Sequence, residues 1–143
     1  MEQALHILIE VKKLEQIDVP GGDVLKVANL HELDKFGEVY FSEIRGGFIK
    51  AWKKHSQMTL RLVVPVGMVR FVFFDEGAKR KLHDVSIGRE NYSLITVPPG
   101  IWFGFRGIGF DLNLVMNIAD IMHDPNEIER LDLDDIEFNW GDL

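Results

Sequence analysis

Short runs rich in β-branched and aromatic residues recur along the 143 residues: "HILIEV", "EVYFSEI", "FIKAW", "LRLVVPV", "MVRFVFF", "YSLITV" and "DLNLVMNI". None is long enough for a packed helix, and Gly and Pro punctuate them, as in "VPGGD", "RGGF", "VPPG" and "FRGIGF". Turns need those residues because Gly reaches positive φ without penalty and Pro fixes φ near -65°. Strands of this length and spacing define an all-β sandwich or barrel. Two brief helical turns are expected beside them. Asn29 with Glu32 and Asp124 with Glu127 have capping-box spacing, and Pro125 falls at a first helical position, where its missing N–H does no harm. With no internal repeat or linker, residues 1–143 read as one domain, the acidic segment 124–143 packed on it.

Composition removes several function classes. The chain has no cysteine, hence no disulfide, thiolate nucleophile or cysteine-held zinc, a usage that fits the cytoplasm. The start, "MEQALHILIEVKK", lacks the basic and long apolar regions of a signal peptide, and no apolar run approaches a membrane span. The net charge of -7 belongs entirely to residues 124–143, where eight acids face one base, Arg130. That distribution argues against nucleic-acid binding, which needs a net basic footprint.

One stretch departs from ordinary strand patterning: "GFIKAWKKHSQMTLRLVVPVG", residues 47–67. Strict alternation puts Ile49, Ala51, Lys53 and His55 on one face and Phe48, Lys50, Trp52 and Lys54 on the other. A solvated face would explain the lysines, the usual fate of that residue. Apolar Ile49 and Ala51 followed by Lys53 and His55 on the same side suggest instead the mouth of a barrel, apolar inside and polar at the opening.

"FGEVYFSEIRGGFIKAWKKH", "MVRFVFFD", "VPPGIWFGF" and "HDPNEIERLDLDDIEFNW", in this order, resemble the dTDP-4-dehydrorhamnose 3,5-epimerase family of cupins, which is also related to the nucleotide-sugar 3,4-ketoisomerases. The resemblance runs from about Gly21 to Trp140. It implies a cupin double-stranded β-helix, or jelly roll, with one or two short helices, a homodimer, and a pocket for a nucleotide-linked keto sugar of surface polysaccharide synthesis. It also implies proton transfer next to the sugar ketone, with no cofactor.

The matched positions differ from the family pattern. Lys53 stands where the family has its histidine base, and His55 lies two residues on. An ordinary lysine has a pKa of about 10.4 and is a protonated donor at neutral pH, so Lys53 is expected to anchor phosphate or enolate charge and His55 to act as the base. Asn117 falls near the family's tyrosine acid; an amide can hydrogen-bond a sugar but cannot supply a phenolic proton. The family's aspartate partner for the base matches Asp132, Asp134 or Asp135 without a choice among them. Expected substrate contacts are Lys50, Arg61 as a pyrophosphate clamp, and Tyr40 or Trp102 as a stacking face. Other cupins bind metal, but His55 alone among the matching positions carries an imidazole, so no metal is expected. His6, His31, His83 and His123 are scattered. Against the enzyme stand two alternatives: a binding module without turnover, and a structural dimer whose barrel is plugged by Trp52, Phe103 and Phe105.

Overall fold

Alternation in Glu38–Arg45 sends Tyr40, Ser42 and Ile44 inward and Val39, Phe41 and Glu43 outward, the period-two pattern of a sheet with one packed face. The computed structural model describes residues 9–29, 31–77 and 81–141. Twelve strands follow in order: β1 (Glu10–Lys13), β2 (Gln16–Ile17), β3 (Val24–Leu25), β4 (Glu38–Arg45), β5 (Ile49–His55), β6 (Leu60–Val66), β7 (Met68–Asp75), β8 (Lys81–Gly88), β9 (Ser93–Val97), β10 (Trp102–Gly107), β11 (Leu112–Ala119) and β12 (Ile128–Arg130). They form a jelly roll of two five-stranded antiparallel sheets, ordered β1-β9-β6-β11-β4 and β12-β5-β10-β7-β8, with β2 and β3 as a separate hairpin. Both sheets send side chains into one core, Leu62, Val64, Ile95 and Val115 from the first meeting Val69, Phe71, Phe73 and Ile87 from the second. Each such side chain contributes about 1.5–3 kcal/mol by leaving water. Among the described residues no helix is long and apolar enough to cross a membrane.

The expected helical turns are shorter than a helix. Pro125–Glu127 is a single 3-10 turn, and another, Leu133–Asp135, lies where none was expected. Asn29 and Glu32 keep only half of the reciprocal pattern, the Asn29 peptide N–H donating to Glu32 in a tight turn. Strands β8 and β10 carry no run expected from the sequence, because Gly104 and Gly107 interrupt the β-formers of β10 and "KLHDVSIG" is largely polar. In "HILIEV", residues 6–8, and with them His6, lie outside the described residues.

A second apolar cluster sits outside the barrel, behind β5. Trp52, Val72 and Trp102 are covered there by Leu131, Ile136, Phe138 and Trp140 from the segment after β12. Arg70 and Arg106 each donate to the Trp140 carbonyl at 3.0 Å, and the Trp52 indole donates to the Leu133 carbonyl at 3.1 Å.

The pairing of β5 with β10 contains a bulge. Phe103 pairs with Lys53 and Gly104 with Ala51, so Trp52 is the extra residue, next to a cis Ala51–Trp52 peptide. Gly104 is required at this point, because a Cβ there would lie 2.5 Å from the Ala51 Cβ and 3.2 Å from the Trp52 ring. The Gly104→Ala variant is expected to lose about 1–3 kcal/mol, the usual result of forcing a methyl into filled space. Urea unfolding measures it, and an unchanged midpoint would mean that β5 yields freely.

Candidate active site

The bulge decides which side chains enter the barrel. Strict alternation would separate Lys50 from Lys53 and His55, but the extra residue at Trp52 brings all three to the side facing Phe103 and Phe105. Trp52 is sent the other way, into the outer cluster, while still edging the cavity. The result is a cavity of about 520 Å³ lined by Tyr40, Ser42, Leu60, Leu62, Val115 and Asn117 from the first sheet, and by Lys50, Lys53, His55, Phe103 and Phe105 from the second. Arg130, Leu131 and Asp132 complete it. The aromatic side chains line this space rather than plug it.

At one end of the cavity His55 pairs through Nδ1 with the Glu127 carboxylate, both residues buried. The 3-10 turn aims that carboxylate inward. Asp124 accepts from the Asn126 N–H at 3.0 Å, Pro125 occupies the first position, and the Ser56 N–H donates to the Glu127 carbonyl at 2.8 Å. Glu127 Oε1 accepts from the peptide N–H groups of Gln57 at 2.8 Å and Met58 at 3.0 Å. A carboxylate only accepts, so Nδ1 carries the proton and Nε2 keeps its lone pair. Asp132, Asp134 and Asp135 are not the partner. Asp135 caps its own turn by accepting from the Asp132 N–H at 2.7 Å. The spacing Asp124 to Glu127 pointed to a capping box and so concealed the inward role of Glu127.

Burial pushes the His55 imidazole below its ordinary value, outweighing the hydrogen bond and charge of Glu127. Burial would raise the Glu127 carboxyl, but the hydrogen bonds from His55, Gln57 and Met58 outweigh it and hold the group below its usual range. Both shifts act on stability in the same direction. A histidine kept neutral in the fold stabilises fully above its unfolded value of 6.5 and loses that contribution as pH falls below it. The Glu127 contribution is present above 4.5 and lost as pH falls through its lowered folded value. Stability is therefore expected to decline on acidification from pH 7.5, with a shallower slope between pH 6.5 and 5 in His55→Asn. Denaturant midpoints across that range measure it, and parallel slopes would remove His55 as the cause.

Lys53 is half-buried and, among the described residues, has no carboxylate at ion-pair distance. Burial, then Arg130 and Lys50, lower its pKa against the opposing charge of Glu127. Lys50 lines the same space and donates to the Glu43 carbonyl at 2.6 Å. Asn117 faces the cavity with its amide committed: Oδ1 accepts from the Arg61 N–H at 3.0 Å, and Nδ2 donates to the Tyr40 hydroxyl at 2.9 Å.

Two expected substrate contacts lie elsewhere. Arg61 alternates with Leu60 and Leu62, which take the inward positions, and its guanidinium pairs with Asp34 at 3.2 Å. Trp102 belongs to the outer cluster, with the Lys54 ammonium 4.9 Å from its ring centroid. Both follow from strand parity, which the sequence motif alone did not place.

Comparison with known proteins gives relatives over nearly the whole chain. A crystal structure of a dTDP sugar isomerase from Desulfovibrio desulfuricans G20 is 40% identical, covering 92% of this chain and 90% of its own, with a TM-score of 0.88. The spore coat polysaccharide biosynthesis protein SpsL of Bacillus subtilis is 28% identical over 143 residues, 93% of this chain and 95% of its own length. A dTDP-4-dehydrorhamnose 3,5-epimerase from Sulfolobus tokodaii shares the fold, with a TM-score of 0.81 at 17% identity, over 94% of this chain and 82% of its own. No protein-family model matches the chain.

Proposed function

The chain belongs to the dTDP-4-dehydrorhamnose 3,5-epimerase family of cupins, and from that premise we propose that it epimerises or isomerises a nucleotide-linked keto-deoxy sugar for surface polysaccharide synthesis. The observation that carries the proposal is the His55–Glu127 pair, a neutral imidazole whose Nε2 has no partner among the described residues, in a cavity that also holds Lys53, which has no carboxylate at ion-pair distance among them. A C–H next to a ketone is acidic only if the electron pair left behind can move onto the carbonyl oxygen. His55 Nε2 takes the proton, and the Lys53 ammonium stabilises the enolate oxygen at low local dielectric. Lys50 and Arg130 supply further positive charge for the nucleotide diphosphate.

The relatives support the same reading: a dTDP sugar isomerase, a polysaccharide biosynthesis protein and a 3,5-epimerase. Incubation with dTDP-4-keto-6-deoxyglucose in deuterated water tests it. Deuterium is expected at a carbon beside the ketone, read by NMR and mass spectrometry. Binding of the nucleotide sugar with no deuterium entry would leave a binding module and reject the enzyme for that substrate.

We further assign the protein to the cytoplasm, in keeping with its cysteine-free sequence, and to a homodimer. Support for the dimer comes from β4, an edge strand whose outward Val39 and Phe41 are 49% and 58% exposed. Phe41→Glu is expected to halve the mass seen by light scattering. An unchanged mass would exclude this face as the interface.

A further inference from the structure

We propose that residues 131–140 form a positioning strap, led by Trp140, that decides which face of β5 Lys50 takes; for substrate binding this rests on the reading above that the cavity receives a nucleotide diphosphate. Two registers are open to β5 against β10. Both pair Lys53 with Phe103 and so keep Lys53 and His55 inward. In the regular register Trp52, Ala51 and Lys50 would stand opposite Gly104, Phe105 and Arg106, which turns Ala51 into the cavity and Lys50 out of it. In the observed register the extra residue at Trp52 leaves Ala51 opposite Gly104, Lys50 opposite Phe105 and Ile49 opposite Arg106. Lys50 then lines the cavity at an exposed position, and its ammonium reaches the Glu43 carbonyl of β4, in the other sheet, at 2.6 Å.

What selects between them lies on the outer side of the strand. The bulge sends Ile49, Ala51 and Trp52 outward together. Uncovered, that side would leave an indole and two aliphatic side chains in water, at a cost that scales with their apolar area. The strap covers it. Leu131 and Trp52 exchange both peptide hydrogen bonds, each at 3.1 Å, and the Trp52 indole donates to the Leu133 carbonyl at 3.1 Å. The Trp140 ring centroid lies 5.6 Å from that of Trp52, and Phe138 packs edge-on against Trp140 at 4.9 Å. Arg70 and Arg106 hold the end of the strap by the Trp140 carbonyl.

The same arrangement excludes the regular register. Lys50 would there stand directly opposite Arg106, whose guanidinium is buried. Like charges opposite one another on a sheet face repel, and an ammonium under an apolar cover loses its water. Loosening the strap relieves that penalty, because an outward Lys50 would be solvated, and at the same time removes the burial that rewards the bulge. Trp140 does not line the cavity. It is a positioning residue that acts through Trp52 on Lys50, while His55 and Glu127, beyond the bulge, keep their pairing.

Trp140→Ala tests the strap, read by calorimetric titration with dTDP and by cross-strand Hα contacts in NMR. In the native background dTDP is expected to bind about 10-fold more weakly, the loss of one charged hydrogen bond. With Lys50→Met already in place, the same substitution is expected to change affinity by less than about two-fold, because the group it acts through is gone. The backbone contact of Phe105 is expected to pass from Lys50 to Ala51. Exchange of the α-proton at saturating sugar nucleotide is expected to stay within about three-fold, so that the effect falls on KM and not on kcat. Trp140→Phe keeps a ring over Trp52 and is expected to restore most of the affinity. Phe138→Ala, at a partly buried position of the same cover, shows the same coupling and serves if Trp140→Ala does not stay folded. Unchanged affinity, equal losses with and without Lys50, or a Phe105 contact that stays with Lys50 would each make the strap a cover alone and leave the keto-sugar reading standing. If wild type binds no dTDP, that reading fails instead, and the Phe105 contact by itself decides for or against the strap.

Discussion

Asparagine in place of His55 is expected to lower α-deuterium exchange by about 10²–10⁴-fold, the range general bases contribute. The substitution isolates the chemistry. The amide can still donate to the Glu127 carboxylate, which keeps its own bonds from Gln57 and Met58, so that end of the cavity stays closed. What is lost is a lone pair able to take a proton near neutral pH. Lys53, whose nitrogen also belongs to the cavity, stabilises an enolate and does not form one. The rate of deuterium entry, followed by NMR at saturating sugar nucleotide, checks this. A rate within about three-fold of wild type would remove His55 from the mechanism.

Glutamine in place of Glu127 is the second large effect, and it separates orientation from packing. Two peptide N–H groups hold Oε1. A glutamine carbonyl can occupy that position, leaving its NH₂ against the His55 ring. An NH₂ donates, so Nδ1 must accept and the imidazole proton moves to Nε2. The ring would then present an N–H to the substrate carbon where the native ring presents a lone pair. Exchange is expected to fall by about 10²-fold, while stability changes by only about 1 kcal/mol, because the number of hydrogen bonds is kept. Calorimetry and the exchange assay read the two quantities separately. A large drop in Tm with proportionate activity in the folded fraction would make Glu127 structural alone.

The jelly roll was legible because alternation and Gly or Pro punctuation are local signals, and β4, β6, β7, β9 and β11 each carry them. The cavity cations were legible as residue types but not as a set. Lys50 changes sides only because of the bulge at Trp52, which depends on the close approach of Gly104 in β10, and no local pattern in β5 reports it. Glu127 was hidden by a plausible local role. Its real partner is 72 positions away in the chain, and a helix-start signature reads only four residues. Arg61 and Trp102 were read by residue type, and the parity of their strands turned them outward. The Tyr40–Asn117 pair was beyond a single strand's pattern for a similar reason, since it exists only through the β4–β11 register.

The placement of β12 has a consequence for how the protein comes into being. A polypeptide emerges from synthesis in order, and earlier parts can begin folding first. The eleven strands that precede β12 include every other strand of both sheets, so a barrel containing His55, Lys53 and Tyr40 can begin to assemble before Glu127 has been made. Until it arrives, the imidazole lacks the acceptor that fixes its proton on Nδ1, and the outer side of β5 lacks its apolar cover. Under the proposed function, catalytic competence is thereby tied to the completion of folding, and an unfinished chain holds His55 without the carboxylate that orients its ring.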